Sequence, residues 1–214
     1  MSAQPHHGRF IVLEGGEGAG KSTQAKLLAD KLLAAGIPVH LTRAVGGAPL
    51  AEEIRHFWLA DRAEQWDGLT ELLLIFAARR EHLVKTIWPK LQAGTWVISD
   101  RFVSSSVAYQ GVVMGLGVEK VLALYKLIAD DFKPDLTLLL DVPVAAGRQR
   151  ISTRNLDRYE RQPASFHEQL RQAYLTQAQQ SPESWQIVDA SAPAGAVAAA
   201  LWQVVAPLRP SQQR

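Results

Sequence analysis

Apolar residues cluster in five short, nearly continuous runs, separated by longer stretches in which they recur every three or four positions. Phe10–Leu13, Val39–Thr42, Trp96–Ser99, Leu136–Leu140 and Gln186–Val188 read as strands. Their continuous rather than alternating apolar character is that of strands covered on both faces. Helical periodicity occupies residues 21–35, 49–60, 68–93, 117–131, 143–152, 165–180 and 194–206. This alternation predicts an α/β fold, an open five-stranded parallel sheet with helices on both faces. Ligands of such sheets bind beyond the carboxyl ends of the strands, where Glu14, Arg43, Asp100, Arg101, Asp141 and Asp189 fall. No internal repeat or low-complexity linker interrupts the 214 residues, so one domain is expected over 1–214, with loose ends at Met1–Gly8 and Pro207–Arg214.

Candidate chemistry starts between the first strand and the first helix. Gly15-Gly16-Glu17-Gly18-Ala19-Gly20-Lys21-Ser22 has the P-loop spacing G-x-x-x-x-G-K-[ST]. Its glycines let successive backbone N–H groups turn inward around a phosphate, Lys21 reaches the β- and γ-phosphates, and the Ser22 hydroxyl ligates Mg²⁺. ATP contacts are therefore expected over Gly15–Thr23. Asp100, after the third strand, is placed to hold Mg²⁺ or its water shell, and Arg101 to grip a second phosphate. The alternative is a buried Asp–Arg pair closing the sheet.

Composition narrows the remaining possibilities. With no cysteine there is no disulfide framework, thiolate nucleophile or Cys-ligated zinc, which suits a cytoplasmic location. A net charge of +2 gives no reason to expect a nucleic-acid polymer or a membrane surface as partner. Met1–Arg9 has no apolar signal core, and Ala194–Val205 is too short to span a bilayer. Residues 148–163 are rich in arginine and helix breakers, a pattern suited to a mobile lid over the nucleotide.

Five segments together resemble the bacterial thymidylate kinase family: Phe10 to Gln24, Pro49 to Arg55, Phe76-Ala77-Ala78-Arg79, Asp100-Arg101 to Gly111, and Leu156-Asp157-Arg158-Tyr159-Glu160. The most specific is Ser106-Val107-Ala108-Tyr109-Gln110-Gly111 after Asp-Arg. The resemblance implies a P-loop nucleoside monophosphate kinase that transfers the γ-phosphate of ATP to dTMP, giving dTDP, with Mg²⁺ as cofactor, and that forms a homodimer. By position it assigns Arg43, Arg55 and Arg101 to the dTMP phosphate, and Ser106 and Gln110 to the surroundings of thymine. It sets Tyr109 against the deoxyribose and Glu17 near the sugar hydroxyl or the metal. On the helix over 68–93, Phe76 is expected to stack on the base and Arg79 to hydrogen-bond it. Gapless matching on Arg79 leaves Ile75 at the usual stacking position, so Arg80 is the competing register. The P-loop carries no arginine, and the resemblance makes Arg154 of the lid the cation that joins Lys21 and Arg101 in catalysis. Arg148 is assigned to ATP and, with Arg150, stands in reserve for Arg154.

One segment departs from the family. Thr42-Arg43-Ala44-Val45-Gly46-Gly47 stands where relatives read Thr-Arg-Glu-Pro-Gly-Gly, removing a carboxylate and a fixed φ. Two rival readings follow: a monophosphate kinase with a different acceptor, or a catalytically weakened nucleotide-binding regulator.

Overall fold

The computed structural model describes residues 8–60, 64–151 and 157–209. Five strands, β1 (Phe10–Glu14), β2 (Val39–Arg43), β3 (Trp96–Asp100), β4 (Leu136–Asp141) and β5 (Trp185–Asp189), form one parallel sheet in the order β2-β3-β1-β4-β5. β1 is central, so the P-loop leaves the middle of the carboxyl edge. In register, Asp100 lies level with Arg43 on one side and Leu13 on the other, which gathers the ends of β1, β2 and β3.

The helices are α1 (Lys21–Ala34), α2 (Pro49–Leu59), α3 (Gly68–His82), α4 (Trp88–Gln92), α5 (Val103–Ser106), α6 (Val118–Ala129), α7 (Val144–Ile151), α8 (Ala164–Gln180) and α9 (Ala194–Val205). Side chains of β1 sort by the period of two. Phe10 and Val12 enter one apolar cluster with Leu72, Phe76 and Val121 of α3 and α6, whereas Ile11 and Leu13 enter another with Leu28, Leu32 and Leu201 of α1 and α9. Burial on both faces extends along β1, β3 and β4, but the edge strands β2 and β5, expected to be covered in the same way, are largely half-buried or exposed because each has a neighbour on one side only.

Two local departures from the expected elements have physical causes. The single helix expected over 68–93 is α3, a π-helical segment at Leu83–Ile87, and α4. Pro89 lies in the first turn of α4 and has no N–H to donate, so the preceding turn widens. Residues 103–113, rich in serine and β-branched residues, lie outside the stretches of helical periodicity. They nonetheless form α5 and a π-helical turn at Val107–Val113, with Ser104, Ser106 and Val107 to Gly111 all buried. Packing on the sheet and on α8 outweighs weak intrinsic propensity there.

Candidate active site

The donor end grows out of the turn after β1. Gly15, Gly18 and Gly20 take φ of 146°, 71° and 86°, conformations that L side chains rarely adopt. Gly18 is needed for a second reason, because a Cβ there would be driven into the carbonyl oxygen of Gly147 on α7. The loop and the helix that leads into residues 152–156 thus touch backbone to backbone. Lys21 Nζ donates to the carbonyls of Gly15 at 3.1 Å and Gly16 at 2.8 Å. Burial lowers the Lys21 pKa, Arg101 adds to the effect, and Glu17, Asp100 and Glu14 oppose it.

Ser22 Oγ donates to Asp100 Oδ2 at 2.5 Å. Two adjacent oxygen donors fit a hard cation such as Mg²⁺. Among the described residues no group of three or more His, Cys, Asp or Glu side chains is arranged to hold a metal. An ion here would be completed by nucleotide phosphates and water, the usual way Mg²⁺ is bound.

At the acceptor end Arg101 has φ 71°, a strained value for a non-glycine residue, and its N–H donates to Leu13 O at 2.9 Å. The side chain folds back beneath the P-loop and donates to Gly15 O at 3.2 Å, Tyr174 Oη at 2.8 Å and Glu17 Oε1 at 2.5 Å. Tyr109 Oη donates to the same Glu17 oxygen at 2.8 Å. Burial alone would raise the pKa of Glu17, but Arg101 and Lys21 outweigh it and lower the carboxyl to about 2. Below them Glu14, fully buried, accepts from the N–H of Phe102 at 2.9 Å and the hydroxyl of Ser105 at 2.7 Å, and so fixes the turn that carries Arg101.

Arg43 forks onto Glu52 at 3.3 and 2.8 Å, and Glu52 also accepts from the N–H of Gly47 at 2.8 Å. Arg55 Nη1 donates to Val45 O at 2.7 Å. Deeper, Arg79 is 3% exposed and donates to Ser106 Oγ at 2.9 Å; burial lowers its pKa to about 10, so it stays a cation at neutral pH. Lys21, Ser22, Glu17, Asp100, Arg101, Tyr109, Arg43, Arg55, Arg79 and Ser106 line one cavity of about 1170 Å³, whereas Gly15, Gly16, Gly47, Glu14, Glu52 and Tyr174 do not.

Several expected site residues are displaced. Phe76 does not face the cavity; it is 2% exposed in the core, edge-on to Tyr125 and beneath the Arg79 guanidinium. The cavity wall is made by Ile75 and Arg79, which at i and i+4 share one helical stripe, while Phe76 lies about 100° away. Arg80 points elsewhere, donating to Ile128 O at 2.5 Å over the Trp88 ring. Arg148 does not line the cavity and donates to Gln162 O at 3.0 Å. Arg150, two residues on, does line it and donates to Gly18 O at 3.3 Å and Ala190 O at 3.0 Å. Arg154 lies outside the described residues. Asp141 is paired with Arg171 at 2.7 Å and Asp189 accepts from Ser191 N at 2.8 Å, so neither strand-end acid joins the site.

Sequence reasoning placed Ile75 at the stacking position by gapless matching but preferred Phe76, and it missed the Ala190–Ala194 loop and Glu71. The loop follows β5 at the sheet's carboxyl edge, so topology alone could have found it; Glu71, mid-helix and without a motif around it, left no local signal.

A parallel sheet with a P-loop leaving its central strand, and a cavity running from that loop to a cluster of arginines, defines a P-loop nucleotide-binding protein. The family model described as thymidylate kinase matches residues 13–201. Proteins named thymidylate kinase are 49% identical over 187 residues in Pseudomonas fluorescens Pf0-1 (87% of this chain, 89% of that protein) and 44% identical over 207 residues in Afipia carboxidovorans (95% and 91%). The crystal structure of thymidylate kinase from Ehrlichia chaffeensis superposes with a TM-score of 0.78 at 31% identity, covering 94% of this chain and all of that one. The chain belongs to the thymidylate kinase family.

Proposed function

We infer that the protein is an ATP-dependent kinase that transfers the γ-phosphate of ATP to dTMP, yielding ADP and dTDP. The observation that carries this is the continuity of the cavity. The P-loop stands at one end, Arg79 and Ser106 stand deep at the other, and Arg43, Arg55 and Arg101 line the space between. Such an arrangement suits a direct in-line transfer, in which positioning and charge neutralisation supply most of the catalysis.

At the donor end Lys21 exchanges its loop carbonyls for the β- and γ-phosphates, and the 190–194 loop with Arg150 flanks the adenine. Ser22 and Asp100 hold Mg²⁺, which when bound neutralises donor phosphate charge. At the acceptor end Arg101, Arg43 and Arg55 hold the dTMP phosphate, with Arg101 kept in place by Glu17. Arg79, Ser106 and Gln110 read the base, and Tyr109 closes the space beside C2′, where a ribose hydroxyl would sit. Residues 148–163 form the lid, and Arg154 supplies the transition-state cation.

A homodimer is supported by the apolar side chains left exposed on two helices that pack together, Leu69 and Leu73 on α3 and Leu122 and Leu127 on α6. A cytoplasmic location is supported by the absence of cysteine, and no helix among the described residues is long and apolar enough to cross a membrane.

Turnover with ATP and Mg²⁺ across a panel of acceptors tests the reading. dTMP is expected to be the best acceptor and thymidine unreactive. Faster transfer to CMP, GMP, AMP or thymidine overturns it.

A further inference from the structure

Glu71 of α3 is 2% exposed and gathers three donors from two other parts of the chain. Its Oε1 accepts from Gln110 Nε2 at 2.7 Å and from Tyr159 Oη at 2.5 Å, and its Oε2 accepts from Arg158 at 2.6 Å. Arg158 in turn lies over the rings of Trp58 and Tyr159, at 5.3 and 4.8 Å from their centroids. Gln110 and Tyr159 line the cavity, whereas Glu71 stands behind them.

A carboxylate can only accept. The Gln110 amide must therefore turn its NH₂ toward Glu71, and its carbonyl oxygen is left as the group presented to the cavity. An acceptor there matches the N3–H of thymine. It opposes cytosine, whose N3 is itself an acceptor, and an amide turned the other way would meet the thymine N3–H donor to donor. Arg158 and Tyr159 hold Glu71 from the other side, so the carboxylate cannot swing away from Gln110 without losing two further hydrogen bonds.

We infer that Glu71 is a specificity-determining positioning residue: it locks the Gln110 amide in the orientation that accepts from the N3–H of a thymine-type base. The inference rests on the reading of Gln110 as a base contact.

Steady-state kinetics of the full-length chain with dTMP and dCMP test it. Glu71→Gln is nearly isosteric but can offer Gln110 either an N–H or a carbonyl, which frees the amide to turn. The ratio of kcat/KM for dTMP over dCMP is expected to fall about tenfold, mainly through a higher KM for dTMP with little change in kcat. A purely structural role would weaken both substrates alike and leave the ratio unchanged.

The exchanged pair, Glu71→Gln with Gln110→Glu, reverses donor and acceptor within the same hydrogen bond and again leaves only an acceptor for N3–H. It is expected to regain the ratio, and it decides the question should the single variant fail to fold. A wild-type ratio in Glu71→Gln, or no recovery in the exchanged pair, overturns the inference. Gln110→Ala separates the two layers: an unchanged KM for dTMP would remove Gln110 from base recognition, while a raised KM beside an insensitive Glu71→Gln would remove only the role of Glu71.

Discussion

Glu17 and Arg101 meet at 2.5 Å inside the cavity, the carboxylate from the P-loop and the guanidinium from the end of β3. They tie the donor loop to the acceptor site, and both are largely buried, so the pair is more than a surface contact. Removing the carboxylate leaves the Arg101 cation in a poorly solvated place.

The stability Glu17 contributes has a definite pH window. Its carboxyl is lowered from 4.5 to about 2 by Arg101 and Lys21 acting against burial, a shift worth about 3 kcal/mol. A depressed acid stabilises the fold above its unfolded value, and the contribution fades as pH falls from about 4.5 toward 2. Glu17→Gln is therefore expected to lower unfolding stability by a few kcal/mol at pH 7 and by much less at pH 3, as measured by urea denaturation. A gap of the same size at both pH values would mean that Arg101 does not tune Glu17.

Ile75 and Phe76 are neighbours with separate duties. Phe76→Ala empties a fully packed core position and is expected to cost about 3–5 kcal/mol in stability. Ile75→Ala should cost less stability and raise the KM for dTMP more, because Ile75 is the apolar side chain beside Arg79 in the cavity wall. Thermal melts and kinetics on the two variants check the division; the reverse pattern would return the stacking role to Phe76.

That pair also shows what was legible in the chain. Apolar runs place all five strands to within a residue or two; β1, β3 and β4 are covered on both faces and leave a continuous signal, while the edge strands β2 and β5 are only partly buried. P-loop spacing likewise places Lys21 and Ser22, and the Asp100-Arg101 step falls where the sheet's edge needs it. The choice between Ile75 and Phe76 turns on a rotation of about 100°, which gapless matching pointed to but composition could not settle. The choice of Arg150 over Arg148 depends on the backbone contact between Gly18 and Gly147, a tertiary fact with no local pattern. α5 and the turn after it were illegible because their serines and β-branched residues are helical only through burial.

His82 titrates in a different window. It is fully buried, with Nε2 2.8 Å from Thr42 Oγ1, and burial first, then Arg79 and His40, lower its pKa from 6.5 to about 4. The unfolded chain takes up a proton near pH 6.5 while the folded chain stays neutral to about 4. Stability is thus full above about 6.5 and drops through that interval by up to about 3 kcal/mol. His82→Gln, which keeps a hydrogen-bonding group beside Thr42 but does not titrate, should flatten the dependence between pH 6.5 and 4. An equally steep profile would assign the acid sensitivity to other groups.

Ala44 and Val45 stand where the family resemblance leads one to expect Glu-Pro, yet Arg43 is not left without an acid. Glu52 reaches it from the first turn of α2 and at the same time accepts from the Gly47 N–H, bracing the loop from both ends. Arg43 is more than half exposed, so the pair itself is worth no more than about 1 kcal/mol. What Glu52 adds is the fixed plane of the guanidinium and the position of Gly47. Glu52→Gln is therefore expected to raise the KM for dTMP by about fivefold, the kinetic equivalent of about 1 kcal/mol. Ala44→Glu with Val45→Pro should do little in the native background, where Arg43 is already oriented, and should recover part of the loss when Glu52→Gln is present. Two forces oppose in the native background, since a second carboxylate supports Arg43 and Arg55 but also repels the incoming dianionic phosphate. A large gain there would show that Glu52 does not substitute for the missing glutamate; no recovery in the triple variant would show that the two carboxylates do unrelated work.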